Sequence, residues 1–293
     1  MNGPDRVELL GASTIQHGPF NRRVYLMKPA REDLPELPGR LIDFARERGY
    51  TKVFAKVPAP ARELFTGAGY EIEAGVPGYY RGGDSALFAA YYLDPARREG
   101  DRQEALRIRE LALSRAGTGK EEAGGEEPRP LGEEDCPAAA ELYREVFESY
   151  PFPIRDPGYL RRTMAANVDY YGVWEEGRLS ALASAEKESE ALAAEMTDFA
   201  SRRGARGRGL AGRILSRMEE DLARSGYRTG FTIARALSAG MNITFARAGY
   251  RFGGLLWNNT QICGRLEPMN VWHKPLRPGP DGDLPAPNPG RKE

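Results

Sequence analysis

The spacing of apolar residues changes period along the chain, and each change predicts an element. From Leu210, the stretch LAGRILSRMEEDLARSGY sets Leu210, Ile214, Leu215, Met218 and Leu222 on one face of an amphipathic helix. Ahead of it, DYYGVWEEGRLSALASAEKESEALAAEMTDFA predicts three antiparallel strands. They turn at Glu176-Gly177 and again in the polar EKESE. CPAAAELYREVFESY predicts an earlier helix, with Asp135 as its cap and Pro137 in its first turn. Beyond the 210–227 segment come a strand (YRTGFTIA), a short helix (SAGMNITFARAG) and two strands (YRFGGLLWNNTQI and PMNVWHKPL).

Part of this pattern occurs twice. SGYRTGFTIA followed by FARAGYRFGG echoes RGYTKVFAKV followed by FTGAGYEIEAG. In each copy a helix ends at Gly-Tyr, a strand follows, a short helix ends at Ala-Gly-Tyr and another strand begins, which predicts an internal repeat. Two stretches cannot bury enough apolar surface to order themselves: AGTGKEEAGGEEPRP (116–130) and the Pro/Gly tail 277–293. The expected organisation is an N-terminal α/β domain over 1–115, a flexible linker over 116–130, a second domain over 131–276 and a disordered tail. The helical second half of 95–115 is the expected exit from the first domain.

Composition narrows the function classes. The 42 basic residues balance 42 acidic ones among 293, which leans against a dedicated nucleic-acid binder. Two cysteines, Cys136 and Cys263, and two histidines supply neither a disulfide framework nor a zinc site, so no metal is expected. No apolar run approaches a membrane span and no basic-then-apolar leader stands at the N-terminus, so a cytoplasmic location without membrane partners is the expectation.

The sharpest local feature is SRRGARGRGLAGRIL (201–215), five arginines and four glycines running into a helix. Glycine lets main-chain N–H groups approach a ligand closely, and the first amides of a helix have no internal partners, so such a junction is an anion site. A solvated basic loop and a nucleic-acid grip are the competing readings. A Walker loop is excluded by the absence of Gly-Lys-Ser/Thr, and the preceding antiparallel strands disfavour a dinucleotide fold.

An antiparallel meander feeding a phosphate-binding turn resembles the GNAT acetyltransferases. Their Gln/Arg-x-x-Gly-x-Gly/Ala signature is matched by Arg206-Gly207-Arg208-Gly209-Leu210-Ala211. AEMTDFA, SAGMNITFARAGYRFGG, NNTQICGRLEPMNVWHKPL, YPFPIRDPGYL and IQHGPFNRRVYLMK together resemble the narrower β-lysine N6-acetyltransferase family over nearly the whole chain. The resemblance implies an α/β (α+β) GNAT fold: a mixed, largely antiparallel twisted sheet flanked by helices, preceded by a smaller α/β domain like a degenerate half of the same fold. It implies acetyl-CoA as co-substrate, with Arg206, Gly207, Arg208, Gly209, Leu210 and Ala211 at the pyrophosphate and Phe199, Ala200 and Ser201 along pantetheine. It also implies β-lysine, the product of lysine 2,3-aminomutase, as acceptor, and an acetylated product that serves as a compatible solute. Lysine, a polyamine or a protein amine remain alternative acceptors. Oligomeric state stays open.

A lysine-type amine, with an ordinary pKa near 10.4, needs help to expose its lone pair. Glu195 is the candidate base, sharing a strand face with Thr197 and Phe199 by period-two counting; Asp198, on the opposite face, is the fallback. A main-chain N–H near Phe199 is the expected oxyanion donor. Phe245 stands where many relatives carry a tyrosine acid, so no general acid is assigned. Substrate candidates are Tyr150, Phe152 and Arg155 on the loop after the first helix of the second domain, and Asn258, Asn259, Glu267 and Asn270 near the C-terminal strands. Trp272 and Phe152 also fit a core role, and His17 a surface loop.

Overall fold

The computed structural model describes residues 5–118, 126–262 and 264–276. Cys263, the 119–125 part of the expected linker and the 277–293 tail lie outside the described residues. The first repeat runs β1 (Arg6–Leu10), β2 (Ser13–Gly18), β3 (Arg23–Lys28), α1 (Leu37–Glu47), β4 (Lys52–Pro58), α2 (Arg62–Gly67), β5 (Glu71–Tyr80) and β6 (Asp84–Tyr92). Helix α3 (Arg102–Leu113) and the two-residue β7 (Arg129–Pro130) lie between the repeats. The second repeat adds two leading helices, α4 (Cys136–Val146) and α5 (Pro157–Ala166). It then runs β8 (Val168–Glu175), β9 (Arg178–Glu188), β10 (Ala193–Ser201), α6 (Leu210–Arg224), β11 (Thr229–Arg235), α7 (Ala239–Arg247), β12 (Arg251–Ile262) and β13 (Arg265–Pro275).

These strands form one sheet in the order β1-β2-β3-β4-β6-β5-β12-β13-β11-β10-β9-β8-β7. The repeat is therefore larger than the Gly-Tyr echoes indicate. Six strands of each half follow the same order, with β8 to β13 equivalent to β1 to β6. Each half has one parallel pair, β3/β4 and β10/β11, bridged by α1 and α6. All four Gly-Tyr helix stops work alike. The glycine takes a positive φ, and the tyrosine N–H returns to a carbonyl five residues back, at 2.9 Å for Tyr50 to Ala45 and 3.0 Å for Tyr227 to Leu222.

The halves meet where the equivalent strands β5 and β12 pair antiparallel through Ala74 and Gly254. A Cβ on Gly254, at φ 143°, would collide with the Glu73 carbonyl, and one on Gly253 with that of Gly75. Buried polar anchors cross the junction. Lys52 Nζ donates to Glu73 at 2.8 Å and to the Trp257 carbonyl at 2.9 Å, while Arg97 Nε donates to the Asn258 carbonyl at 2.8 Å.

Three local expectations change. Helix α3 packs against α7, with Ala112 buried in the α6–α7 core, because its small apolar face fits the second half rather than leading away from the first. Asp135 precedes α4 but turns its carboxylate back to the Gly132 N–H (3.0 Å) and the Arg129 guanidinium instead of capping that helix. That same ion pair and the β7–β8 pairing give structure to the end of the segment expected to be linker.

Candidate active site

The site begins with a strand that parts from its neighbour. Strand β10 runs parallel to β11 only from Ala193 to Glu195. On its other edge it stays with β9, but the register slips between Thr197 and Ala200, so that Asp198 and Phe199 oppose a single residue. Asp198 sits at φ 54° in this bulge.

The bulge rearranges the faces that period-two counting predicts. Asp198 accepts a hydrogen bond from Ser184 Oγ at 2.8 Å, and Ser184 is the cross-strand partner of Thr197. Asp198 therefore joins the face of Thr197 instead of opposing it. Phe199 swings to the other side, where its ring lies edge-on to Phe245 at 5.5 Å within the α6–α7 core.

Between the diverging strands lies a cleft of about 580 Å³. Its floor is Thr197, Asp198, Phe199 and Ser201, and its far wall belongs to α7, including Phe245. Ala205, Arg206, Gly207, Gly209, Leu210 and Ala211 line another part of it. Gly207 and Gly209 both have φ near 77°, and Gly209 is the N-cap of α6, so side chains are absent where the helix's free amides begin. A glycine-lined helix start beside an unpaired strand edge fits a diphosphate joined to an amide-bearing arm, the chemistry of coenzyme A.

The arginines of the run are mostly committed elsewhere. Arg202 pairs with Glu141 and Glu145, Arg208 with Glu175, and Arg213 with Glu127. Arg206 stays at the cleft, its Nε donating to the Ser201 carbonyl at 3.3 Å. Of the expected cofactor residues, Arg208 turns its side chain to Glu175 and the Ala200 methyl packs in the α4–α5 core, and neither lines the cleft.

A second cavity of about 230 Å³ meets the first at Tyr150, Thr197, Asp198, Ile233, Ile262 and Met269. Both halves of the molecule build it. The second supplies Glu186, Glu188, Glu195, Asp198 and Asn259, and the first supplies Gln16, Arg23, Tyr25, Phe54 and Lys56. Equivalent positions face each other here. Tyr25 pairs with Phe54 across β3/β4 as Glu195 pairs with Phe231 across β10/β11, each phenylalanine four residues past its Gly-Tyr tyrosine.

Acidity dominates one end. Glu195 lies directly across the β9–β10 ladder from Glu186. Burial, and then the Glu186 charge, push the Glu195 carboxyl up to about 8; Lys56 opposes them. Burial likewise raises Glu186, helped by Asp198. Asp198 is raised by burial and held by Tyr150, Ser184 and Thr197, so its carboxylate serves as an anchor for neighbouring hydroxyls.

Of the remaining candidates, Tyr150, Phe152 and Asn259 line the second cavity. Phe152 is 40% exposed and so not a core residue, whereas Trp272 is fully buried. Asn258, Arg155, Glu267 and Asn270 line neither cavity and make structural contacts, although Glu267 Oε2 is buried without a partner among the described residues. Asn258 donates to the Arg97 carbonyl at 2.9 Å and Asn270 to Asn242 Oδ1 at 2.8 Å. Glu267 holds Arg235 and Arg265, and Arg155 binds the carbonyls of Phe147 and Glu148. His17 lies in β2, not a surface loop; it is buried, hydrogen-bonded to Tyr50 and paired with Glu8. Buried Cys136 has its thiol pushed up by burial, away from nucleophilic use. Among the described residues, no group of three acidic, histidine or cysteine side chains could hold a metal ion, and no helix is long and apolar enough to cross a membrane.

No protein-family model matches the chain. It is 34% identical over 272 residues to a β-lysine N6-acetyltransferase of Methanococcus maripaludis, spanning 92% of this chain and 98% of that one. It is 33% identical to the N-acetyltransferase YodP of Bacillus subtilis (90% and 96%) and 28% identical to a β-lysine N6-acetyltransferase of Methanosarcina mazei (82% and 97%). Among solved structures it is similar to the ribosomal-protein-S18-alanine N-acetyltransferase of Escherichia coli, at TM-score 0.46 and 16% identity over 54% of this chain and 98% of that one. An N-acetyltransferase of Staphylococcus aureus gives TM-score 0.45 and 17% identity over 51% and 98%. Two cavities joined at one strand bulge suit the transfer of a group between two substrates, and the chain is an N-acetyltransferase. Within that class it belongs to the β-lysine N6-acetyltransferase family.

Proposed function

We propose that the protein transfers the acetyl group of acetyl-CoA to the ε-amine of β-lysine. The observation that carries this is the meeting of a long glycine-lined cleft and a small acidic cavity at the Thr197–Ala200 bulge. When bound, acetyl-CoA supplies an activated carbonyl. Amides at Gly207 to Ala211 seat its diphosphate, and the free edge of β10 takes the pantetheine arm.

In this reading the acceptor ammonium enters the acidic cavity, where Glu195 takes the proton it must shed. Main-chain N–H groups at the bulge stabilise negative charge developing beside them. Phe245 offers no proton, so the thiolate leaves without help from α7. β-Lysine carries two ammonium groups and one carboxylate; acetylating the ε-amine leaves one of each. The product is a neutral zwitterion, a charge state suited to a compatible solute, and lysine 2,3-aminomutase becomes the enzyme that supplies the substrate.

The test is an acetyl-transfer assay with β-lysine, lysine and spermidine side by side. β-Lysine should show the highest kcat/KM, with acetylation at N6. Preference for lysine or spermidine would overturn the assignment of acceptor.

A further inference from the structure

Among the described residues, one cation in the acceptor cavity makes no ion pair. Arg23, at the start of β3, is only 6% exposed and lines the cavity. Its Nη1 donates to the Asn259 carbonyl and, at 3.1 Å, to Thr260 Oγ1, while its Nε is buried without a partner. Neighbouring cations differ. Lys52 is matched to Glu73 and Lys56 to Glu188, and Arg97 donates through all three of its nitrogens to oxygens of Asn258, Thr51, Arg22 and Asn21. Asp5, the carboxylate acting on Arg23, is spent on Asn21 and the Phe20 amide.

Beside this orphaned donor is an orphaned acceptor. Asn259 is 1% exposed, lines the same cavity, and its Oδ1 has no partner. Burying an uncompensated charge and an unpaired amide oxygen is costly, and both costs vanish when a ligand brings the missing partners. A donor for a carboxylate and an acceptor for an ammonium, side by side, match the zwitterionic end of an amino acid. Glu186 and Glu195 are left to receive the side-chain amine.

We propose that Arg23 of the first repeat binds the carboxylate of the acceptor and Asn259 Oδ1 its backbone ammonium, so that the first repeat selects amino acids over plain diamines. This rests on the acetyltransferase reading of the second cavity. It assigns the first repeat a direct part in substrate choice.

The test compares β-lysine with its decarboxylated counterpart, 1,4-diaminopentane, on wild-type protein, Arg23→Met and Arg23→Lys. Wild-type protein should favour β-lysine by roughly 10- to 150-fold in kcat/KM, since a charged hydrogen-bond pair of this kind is worth roughly 1.5–3 kcal/mol. Arg23→Met should lose about that factor for β-lysine while its rate with the diamine stays within threefold or so. Arg23→Lys, a point charge without the planar fork, should fall between them; it carries the test if the methionine variant fails to fold. Acetyl-CoA affinity, measured by calorimetry, should be unchanged in any folded variant.

If wild-type protein acetylates β-lysine and the folded variants keep its preference over the diamine, the Arg23 assignment is overturned alone. If lysine proves the acceptor, the proposed function falls and Arg23 is scored on lysine against 1,5-diaminopentane. Wild-type preference for the diamines would overturn both.

Discussion

Glu195 shows how far one carboxyl can be moved by its company. Burial and the facing Glu186 keep it protonated to about pH 8. That value suits a base working close to neutrality. Wild-type kcat/KM should therefore fall as pH drops below about 8, and Glu195→Gln should be on the order of 100-fold slower with that limb gone. The same shift costs stability. The unfolded chain releases this proton near the ordinary 4.5 while the folded chain holds it to about 8. Between those values the folded state binds more protons, so stability falls as pH rises, with no further loss above. Glu195→Gln should melt higher than wild type by a margin that widens from about pH 5 to 8; a margin constant with pH would show that Glu195 is not shifted. Glu195 could be found by alternation along its strand. Alternation puts Asp198 and Phe199 on the wrong faces, because nothing in TDFA announces an extra residue in the ladder. Arg23 is silent in the sequence for a different reason: with 35 arginines in the chain, one more carries no signal until its partners are known.

At the scale of elements, the strand–loop–helix passage from β10 to α6 was the most legible part of the molecule. The apolar stripe fixes α6, and two glycines fix where it starts. Their identity is a matter of backbone conformation, since both hold φ near 77°. Gly209→Val should strain that turn by roughly 1–2 kcal/mol and block the amides behind it. Acetyl-CoA affinity, read by calorimetry, should fall more than tenfold with far-ultraviolet circular dichroism little changed. Unaltered affinity would place the diphosphate elsewhere. Less legible was α3, whose short apolar stripe says that it packs but not on what. Long-range partners of that kind are fixed by tertiary fit, which local periodicity does not encode.

Across the whole molecule, the repeat was visible at its helix stops and invisible in its extent. Gly-Tyr endings survive because a positive φ tolerates few substitutes, whereas strands conserve only a pattern of burial that many sequences satisfy. The meeting of the halves was not readable at all, although Gly253-Gly254 marks it. Gly254→Val should force β5 from β12 and cost at least about 2 kcal/mol, lowering the melting temperature. If the second cavity takes the acceptor, β-lysine turnover should suffer more than acetyl-CoA binding, because that cavity needs both halves and the cleft only one. Equal loss of both would mean that the junction supports the fold alone.

Had the halves been identical chains related by a true dyad, every substitution in the cavity would have appeared twice, and its opposing walls could never differ. Joined in one polypeptide, they are free to diverge: Tyr25 stands where its counterpart is Glu195, and Arg23 where its counterpart is Ala193. A guest with unlike ends, anionic at one and basic at the other, calls for a host that has given up its symmetry.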